Sequence, residues 1–288
     1  HITAGNVFLG AIDSILMGIL TKNTNYIKLS SRNTIVPRLF LESILHHKKG
    51  HLFQEAIRLC VWKGGDKTVE QALIARCQGV ILWGGEEAVK SIKESIPQGC
   101  KFIVHGPKVS VQVISKKYYE SDCINYKNIA KDIYTWNQQA CSNSQNVYLE
   151  HGIDIDQFIS ALEKGFIASP INALDLDEDE SVEQLKESYR ALYTEFETGS
   201  SFVDTSLFKI QFRKGDGPET TALNNSVYIY QFDDVNKLSQ NLARYRFYLQ
   251  TCGLGVKNYE RHTFLKSLTH AGINRFTDLG SMLNSVSG

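Results

Sequence analysis

Gln138-Gln139-Ala140-Cys141-Ser142 holds the residue best equipped for covalent chemistry in this chain. A cysteine thiolate is a strong nucleophile, and nucleophilic cysteines sit in identifiable polar settings. Here the sulfur is followed by Ser142, Asn143 and Ser144. Residues 129, 133, 136 and 140 (Ile, Ile, Trp, Ala) precede it at helical spacing. The run Asn146-Val147-Tyr148-Leu149 follows and reads as a strand. A thiol on a polar turn between two packed elements meets a substrate while the scaffold fixes its position. The competing reading is a small buried hydrophobe, the usual fate of a free cysteine.

Three further stretches carry polar groups at strand ends. Ile81-Leu82-Trp83-Gly84-Gly85-Glu86-Glu87 is a strand, a glycine pair and a helix start. Glycines there let an anion approach exposed N–H groups at the positive end of the helix dipole; a plain tight turn explains them equally. The pattern is not the three-glycine dinucleotide fingerprint. Ile27-Lys28-Leu29-Ser30-Ser31 ends a strand with a cation and two hydroxyls suited to ribose or phosphate, or to solvent alone. Gly5-Asn6 offers an amide donor on a turn, where it stabilises an oxyanion or only serves its own backbone. The acidic run over residues 175–180 opens a helix and suits the helix N-terminus and water better than a metal.

These groups need a scaffold, and the chain alternates elements accordingly. Residues 7–20, 37–46, 68–76 and 86–95 read as helices. Residues 1–4, 25–29, 58–62, 80–83 and 101–104 read as strands. Helix 7–20 would carry Leu9, Ile12, Leu16, Ile19 and Leu20 on one side. This order predicts a mostly parallel, doubly wound sheet whose ligands lie beyond the carboxyl ends of the strands. From residue 109 the pattern changes. A strand at 111–114 leads into a long helix carrying Cys141, then helices at 155–164 and 181–196. Strands follow at 207–212, 227–232 and 246–251. A boundary near Gly106-Pro107 separates a lobe of residues 1–108 from one of residues 109–288.

Composition narrows the class. The 288 residues are 42% hydrophobic and 22% charged, enough to fill a core. Lysine plus arginine (31) equals aspartate plus glutamate (31), which gives no electrostatic footprint for nucleic acid. No apolar run approaches the roughly 18 residues of a membrane span. Six cysteines without metal-type spacing read as reduced thiols of a cytoplasmic protein, with no metal site. His1 leads directly into a strand end, so the first lobe is expected to be trimmed at its N-terminus.

The order of these stretches (asparagine turn, lysine strand end, glycine pair, Gly106-Pro107-Lys108, cysteine) resembles the aldehyde dehydrogenase superfamily. The wording is similar to one branch, the long-chain acyl-CoA reductases that serve as the fatty-acid reductase subunit of bacterial luminescence. The resemblance rests on residues 1–7 (His-Ile-Thr-Ala-Gly-Asn-Val), 20–23, 27–31, 83–88 (Trp-Gly-Gly-Glu-Glu-Ala), 105–108 (His-Gly-Pro-Lys) and 138–148. It is dense to residue 148, thin beyond, and returns at residues 272–282. It implies an α/β fold of the aldehyde dehydrogenase type: a doubly wound cofactor-binding lobe and a second α/β lobe with the nucleophile. Cys141 would accept the acyl group. Asn6, with the Cys141 N–H, would form the oxyanion hole. Lys28 and Ser30 would contact the adenosine ribose, and Gly84 and Gly85 the pyrophosphate.

Two departures refine the expected reaction. Oxidising members carry a glutamate that activates the deacylating water, where this chain has Val104-His105-Gly106-Pro107. That suits an enzyme whose acyl group arrives by thioester exchange and leaves as aldehyde. Ser31, with Arg32 beside it, stands where an acidic residue would hold the ribose 2′-hydroxyl, which favours NADPH. The resemblance therefore implies NADPH-dependent reduction of a long-chain acyl thioester, from CoA or a carrier protein, by a homo-oligomer served by an acyl-protein synthetase. The alternatives are aldehyde oxidation and a non-catalytic relative that binds a nucleotide or an acyl-carrying partner. Glu219 lies near the position of the nicotinamide-ribose glutamate but off register.

Overall fold

The computed structural model describes residues 1–288 except 6–8, 122, 172–175, 177, 199–200 and 285–288; the side chains of 9, 194 and 196–198 are likewise outside the described set. The expected asparagine turn at Asn6 therefore lies outside the described residues. The chain forms two compact units, His1–Pro107 and Lys108–Gly288.

In the first unit, helices and strands alternate: α1 (Leu9–Leu20), β1 (Asn25–Lys28), α2 (Ile35–Leu45), β2 (Ile57–Cys60), α3 (Lys67–Ile74), β3 (Gly79–Trp83), α4 (Glu86–Lys93) and β4 (Lys101–His105). β1 pairs in parallel with β2, and β3 with β4. Ile2 joins the two pairs through parallel bridges to Lys28 and Leu82. The spatial order is thus β2, β1, Ile2, β3, β4. The chain runs outward on one side of Ile2 and then on the other, so the strand order reverses beside it. Reversal points of this kind hold the ligand crevice of doubly wound sheets, at the carboxyl ends. One core gathers Ile15, Ile27, Leu29, Leu41 and Ile57, and another Ile74, Val80, Leu82 and Ile92.

The side of α1 that carries Leu16 and Leu20 faces outward. Leu16 and Leu20 are exposed, whereas Ala11, Ser14 and Ile15 are buried. The helix packs through its small residues because β1 comes so near. A Cβ on Gly18 would lie 2.6 Å from the Asn25 side chain, and one on Gly10 3.6 Å from the Trp83 ring.

The second unit comprises β5 (Val109–Ile114), α5 (Lys116–Tyr119), α6 (Tyr126–Tyr134), β6 (Ser144–Glu150), α7 (Ile155–Ile167), α8 (Glu178–Thr198), β7 (Phe202–Asp204), β8 (Lys209–Phe212), β9 (Ser226–Phe232), α9 (Val235–Leu242), β10 (Leu249–Gly255), α10 (Asn258–His270) and β11 (Arg275–Asp278). Seven strands form one sheet in the order β11-β10-β5-β6-β9-β8-β7, parallel except for the β7–β8 pair. Both faces are covered, which is why β5, β6 and β9 are buried nearly throughout. Alternate residues supply two cores. Val111, Val113, Tyr148 and Tyr230 meet Leu238, Leu242, Phe264 and Leu268 of α9 and α10. Ile114, Val147, Leu149 and Ile229 meet Ile129, Ile133, Phe158 and Leu162 of α6 and α7. Ser110 and Gln112 therefore point to the α6 face.

The long helix expected to carry Cys141 stops at Tyr134. Ile129 and Ile133 are buried as the spacing implied, but Trp136 is exposed. Trp136, Asn137 and Gln138 adopt left-handed backbone, with φ of 56°, 51° and 60°. Such values are costly for non-glycine residues and persist where side-chain bonds enforce them.

Candidate active site

The thiol turn lies between α6 and β6, and its conformation follows from four polar side chains, three of them buried and Gln139 half-buried. Asn143 is almost wholly buried. Its Nδ2 faces the carbonyls of Asp132, Ile133 and Thr135 at 3.0–3.1 Å, which ends the helix by claiming its last acceptors. Its Oδ1 accepts the Ala140 N–H at 2.9 Å. Gln138 donates to the carbonyls of Ser144 and Ser226, each at 2.8 Å, and accepts the Ser226 N–H. Gln139 donates to Asn224 Oδ1 at 3.2 Å. Ser110 Oγ donates to the Cys141 carbonyl at 2.7 Å. These bonds hold the left-handed run 136–138 against a second left-handed run, Leu223, Asn224 and Asn225.

The result is an exposed thiol on a fixed backbone. Cys141 sits at the amino edge of the sheet, beside the starts of β5, β6 and β9. Small buried hydroxyl residues (Ser110, Ser144, Ser226) line that edge. Burial pushes the thiols of Cys60, Cys77 and Cys252 up and makes them poorer nucleophiles. Cys123 is also exposed, with Lys257 Nζ 3.9 Å from its sulfur. Exposure alone does not separate it from Cys141; the braced turn does.

The polar frame behind Cys141 continues into Asp132, a fully buried carboxylate on α6 that was not singled out in the sequence. It accepts N–H bonds from Gly280 at 2.6 Å and Met282 at 3.0 Å. Burial raises its carboxyl to about 6, against the pull of those N–H groups and of Lys131. Asp132, Ser110 and the Asn224 turn lack a local signal, because their partners lie far along the chain. Glu219 is held by Asn146, which exchanges two hydrogen bonds with its backbone, and by the Tyr230 hydroxyl.

The remaining candidates lie in the first unit, at the carboxyl ends of the two strands that flank Ile2. Lys28 ends β1, half-buried, with Nζ 5.5 Å from the centre of the Trp62 ring. Ser30 Oγ accepts the Arg32 N–H at 3.3 Å, and the Ser30 carbonyl accepts the Asn33 N–H at 3.0 Å. Ser31 and Arg32 are exposed on the turn so formed. A Cβ on Gly5 would come within 2.4 Å of Ser30 Oγ, so the turn after Ile2 passes tightly against this one. Gly84 donates to the His105 carbonyl at 3.2 Å, and Gly85 caps α4. A Cβ on Gly85 would meet nothing within 4 Å, which leaves the helix start open to an anion. Glu86 and Glu87 in the first turn oppose that anion. The residues present fit a dinucleotide: hydroxyls and cations at one strand end, open backbone donors at the other.

Known proteins place this architecture. Aldehyde dehydrogenase 21 from Physcomitrella patens, solved with the product succinate, superposes with a TM-score of 0.74 at 12% identity, over 99% of this chain and 61% of its own. Lactaldehyde dehydrogenase from Escherichia coli gives 0.69 at 16% identity, over 96% and 61%. The fold is that of the aldehyde dehydrogenases. A family model described as acyl-CoA reductase (LuxC) matches residues 1–288, and the chain belongs to that family. Among its relatives, a long-chain acyl-protein thioester reductase of Aliivibrio fischeri is 26% identical over 296 residues, covering 100% of this chain and 60% of the relative. A second, from Photobacterium leiognathi, is 31% identical over 164 residues, covering 56% and 34%. The chain thus spans three-fifths or less of the length of these two relatives. Among the described residues no helix is long and apolar enough to cross a membrane, and no cluster of three or more His, Cys, Asp or Glu could hold a metal.

Proposed function

We propose that the protein reduces a long-chain fatty acyl thioester to the aldehyde with NADPH, through an acyl-cysteine at Cys141. The observation that carries this reading is the exposed thiol on a turn fixed by Asn143, Gln138 and Ser110 in a member of the acyl-CoA reductase family. A braced backbone keeps the sulfur, and the N–H beside it, in one place as the carbonyl becomes tetrahedral. Cys141 attacks the thioester carbonyl, and the tetrahedral intermediate expels the CoA or carrier thiolate. The oxyanion is met by the Cys141 N–H, and by the Asn6 amide on the strength of the resemblance. NADPH, when bound, would supply a hydride, and the acyl-cysteine that accepted it would become a thiohemiacetal. Collapse of that adduct releases the aldehyde and returns the thiolate.

Lys28, Ser30, Ser31 and Arg32 would bind the adenosine ribose and its 2′-phosphate, and Gly84 and Gly85 the pyrophosphate. The relatives named above act on acyl-protein thioesters by their descriptions, which supports a carrier-protein donor; an acyl-protein synthetase as the supplying partner and a homo-oligomeric assembly rest on the resemblance alone, and a cytoplasmic setting on the spacing of the six cysteines. The test is mass spectrometry after mixing with palmitoyl-CoA, then aldehyde detection on adding NADPH. A palmitoyl adduct on Cys141 that converts to palmitaldehyde is expected. No adduct, or an adduct that yields only the free acid, overturns the reading.

A further inference from the structure

We propose that Asp132 is a positioning residue for Cys141, coupling the docking of residues 279–284 to the geometry of the thiol turn. The inference rests on Cys141 being the nucleophile. Its basis is a closed chain of bonds. Asp132 Oδ2 accepts the Gly280 N–H at 2.6 Å and Oδ1 the Met282 N–H at 3.0 Å. The Asp132 carbonyl accepts from Asn143 at 3.1 Å, and Asn143 in turn fixes the N–H of Ala140, next to the thiol. On the other side, Arg275 donates to the Met282 carbonyl at 2.6 Å. Arg275 pairs in register with Thr251, whose N–H donates to Ser110 Oγ, and Ser110 holds the Cys141 carbonyl. The segment 279–284 and the thiol turn are therefore joined by two separate routes.

A fully buried carboxylate is an expensive cap, since a neutral acceptor avoids the desolvation of a charge. Two features give the charge a use. Only the ionised form has an acceptor oxygen free for each of the two N–H groups. The neutral form also has a partner at hand: Gln112 Nε2 lies 3.3 Å from Oδ2, while Gln112 Oε1 is buried without a hydrogen-bond partner. Rotation of that carboxamide, at the cost of its 3.2 Å bond from Nε2 to the Ile129 carbonyl, would let Oε1 accept a hydrogen bond from the protonated Asp132 while Oδ2 releases Gly280. The charged groups nearby are otherwise engaged. Lys131 Nζ reaches the Gly280 carbonyl at 3.1 Å, Arg275 holds the carbonyls of Met282 and Asn284, and Asp278 is paired with Arg261 at 2.8 Å. Residues 279–284 themselves carry no ionisable side chain. The carboxyl, raised by burial to about 6, exchanges its proton in mild acid.

The experiment follows two signals in the full chain between pH 5 and pH 7.5, both read by peptide mass spectrometry. One is deuterium exchange of residues 279–284, corrected for the intrinsic pH dependence of exchange. The other is the rate of iodoacetamide labelling of Cys141, normalised to glutathione. Both are expected to change by about tenfold with a midpoint near pH 6, the effect of one pKa unit of coupling. Asp132→Asn should hold both at their acid-side values throughout. Flat wild-type profiles, or a wild-type midpoint surviving in Asp132→Asn, overturn the proposal. Asp132→Glu re-seats the same carboxylate and should shift the midpoint; an unchanged midpoint would assign the titration to another group and overturn it even if the asparagine variant does not fold. Iodoacetamide needs no thioester, so this outcome is readable whether or not the protein makes aldehyde.

Discussion

Ser110 Oγ lies 2.7 Å from the Cys141 carbonyl oxygen, a bond between residues 31 apart in the chain. It ties the thiol turn to the amino edge of β5, while Asn143 ties it to the end of α6. The backbone of the thiol turn is thus anchored both to the helix that precedes it and to a strand 31 residues earlier in the chain.

Replacing Cys141 with alanine removes the sulfur and leaves these anchors in place. Acyl transfer from palmitoyl-CoA should be abolished, with the fold and NADPH binding retained, because the proposed dinucleotide residues belong to the other unit. Cys123→Ala should acylate normally despite its similar exposure. Radiolabelled acyl groups that remain on Cys141→Ala, or disappear from Cys123→Ala, would move the nucleophile elsewhere.

Asn143→Ala should damage both stability and rate. The change orphans the Ala140 N–H and takes the amide from three carbonyls in a buried setting. Each buried group left unpaired costs about 1–3 kcal/mol, so a loss of roughly 3 kcal/mol is expected in urea titration. Serine at 143 should recover little, since it cannot both span the carbonyls and accept the N–H. A variant as stable as the parent would mean that the left-handed run 136–138 holds itself.

Much of the parallel architecture was legible in the chain, because strands buried on both faces tend to be written as apolar runs, as in Ser226–Phe232, although Val109–Ile114 is broken by the buried polar residues Ser110 and Gln112. β10 was read several residues early, at 246–251, because Gly253 and Gly255 look like turn residues. They are strand residues whose missing side chains make room: a Cβ on Gly253 would meet Met282 Sδ at 2.9 Å, and one on Gly255 the Leu279 side chain at 2.9 Å. α10 went unread because its inward positions, Phe264, Ser267 and Leu268, are too few and too mixed to stand out. The candidate thiol was singled out from its neighbours, but its surroundings were not. Ser110, Asp132 and Asn224 act through partners from 11 to 150 residues away, and no local spacing records such pairs. The rule that ligands gather at carboxyl ends also points away from Cys141, which sits at the amino edge of its sheet.

Asp132 should leave a mark on stability as well as on the thiol turn. Its carboxyl titrates near 3.8 in the unfolded chain and about 6 in the folded one. The folded state holds the proton more tightly, so this group's contribution is fully present below pH 4. It is lost as pH rises through 6. A difference of about 2 units corresponds to roughly 3 kcal/mol at most. Asp132→Asn lacks this titration. Its stability relative to the wild type should therefore rise between pH 4.5 and pH 7.5. Urea midpoints measured for both proteins across that range check the sign. A stability difference that stays constant, or falls, would show that the Gly280 and Met282 N–H groups already offset burial.

On the proposed reading, cofactor choice is decided on the turn that follows β1. A carboxylate there would accept both adenosine ribose hydroxyls and repel a 2′-phosphate; Ser31 does neither, and Arg32 lies next to it, both exposed on a turn closed by Ser30 and Asn33. Lys28 adds positive charge on the same strand end, where its ammonium rests 5.5 Å from the Trp62 ring centre. The expected preference is for NADPH over NADH. Ser31→Glu places a charge on an exposed turn, so the fold should tolerate it. It should shrink or invert the preference, chiefly by weakening NADPH through like-charge repulsion. Comparison of kcat/KM for the two cofactors in both proteins reads this directly. A tenfold change in the ratio corresponds to about 1.4 kcal/mol of discrimination. Raising the salt concentration should blunt the effect, because the turn is open to solvent and exposed charges are screened within about 10 Å at 0.1 M. Equal use of both cofactors by the parent, or an unchanged ratio in Ser31→Glu, would remove residues 28–32 from the adenosine ribose site.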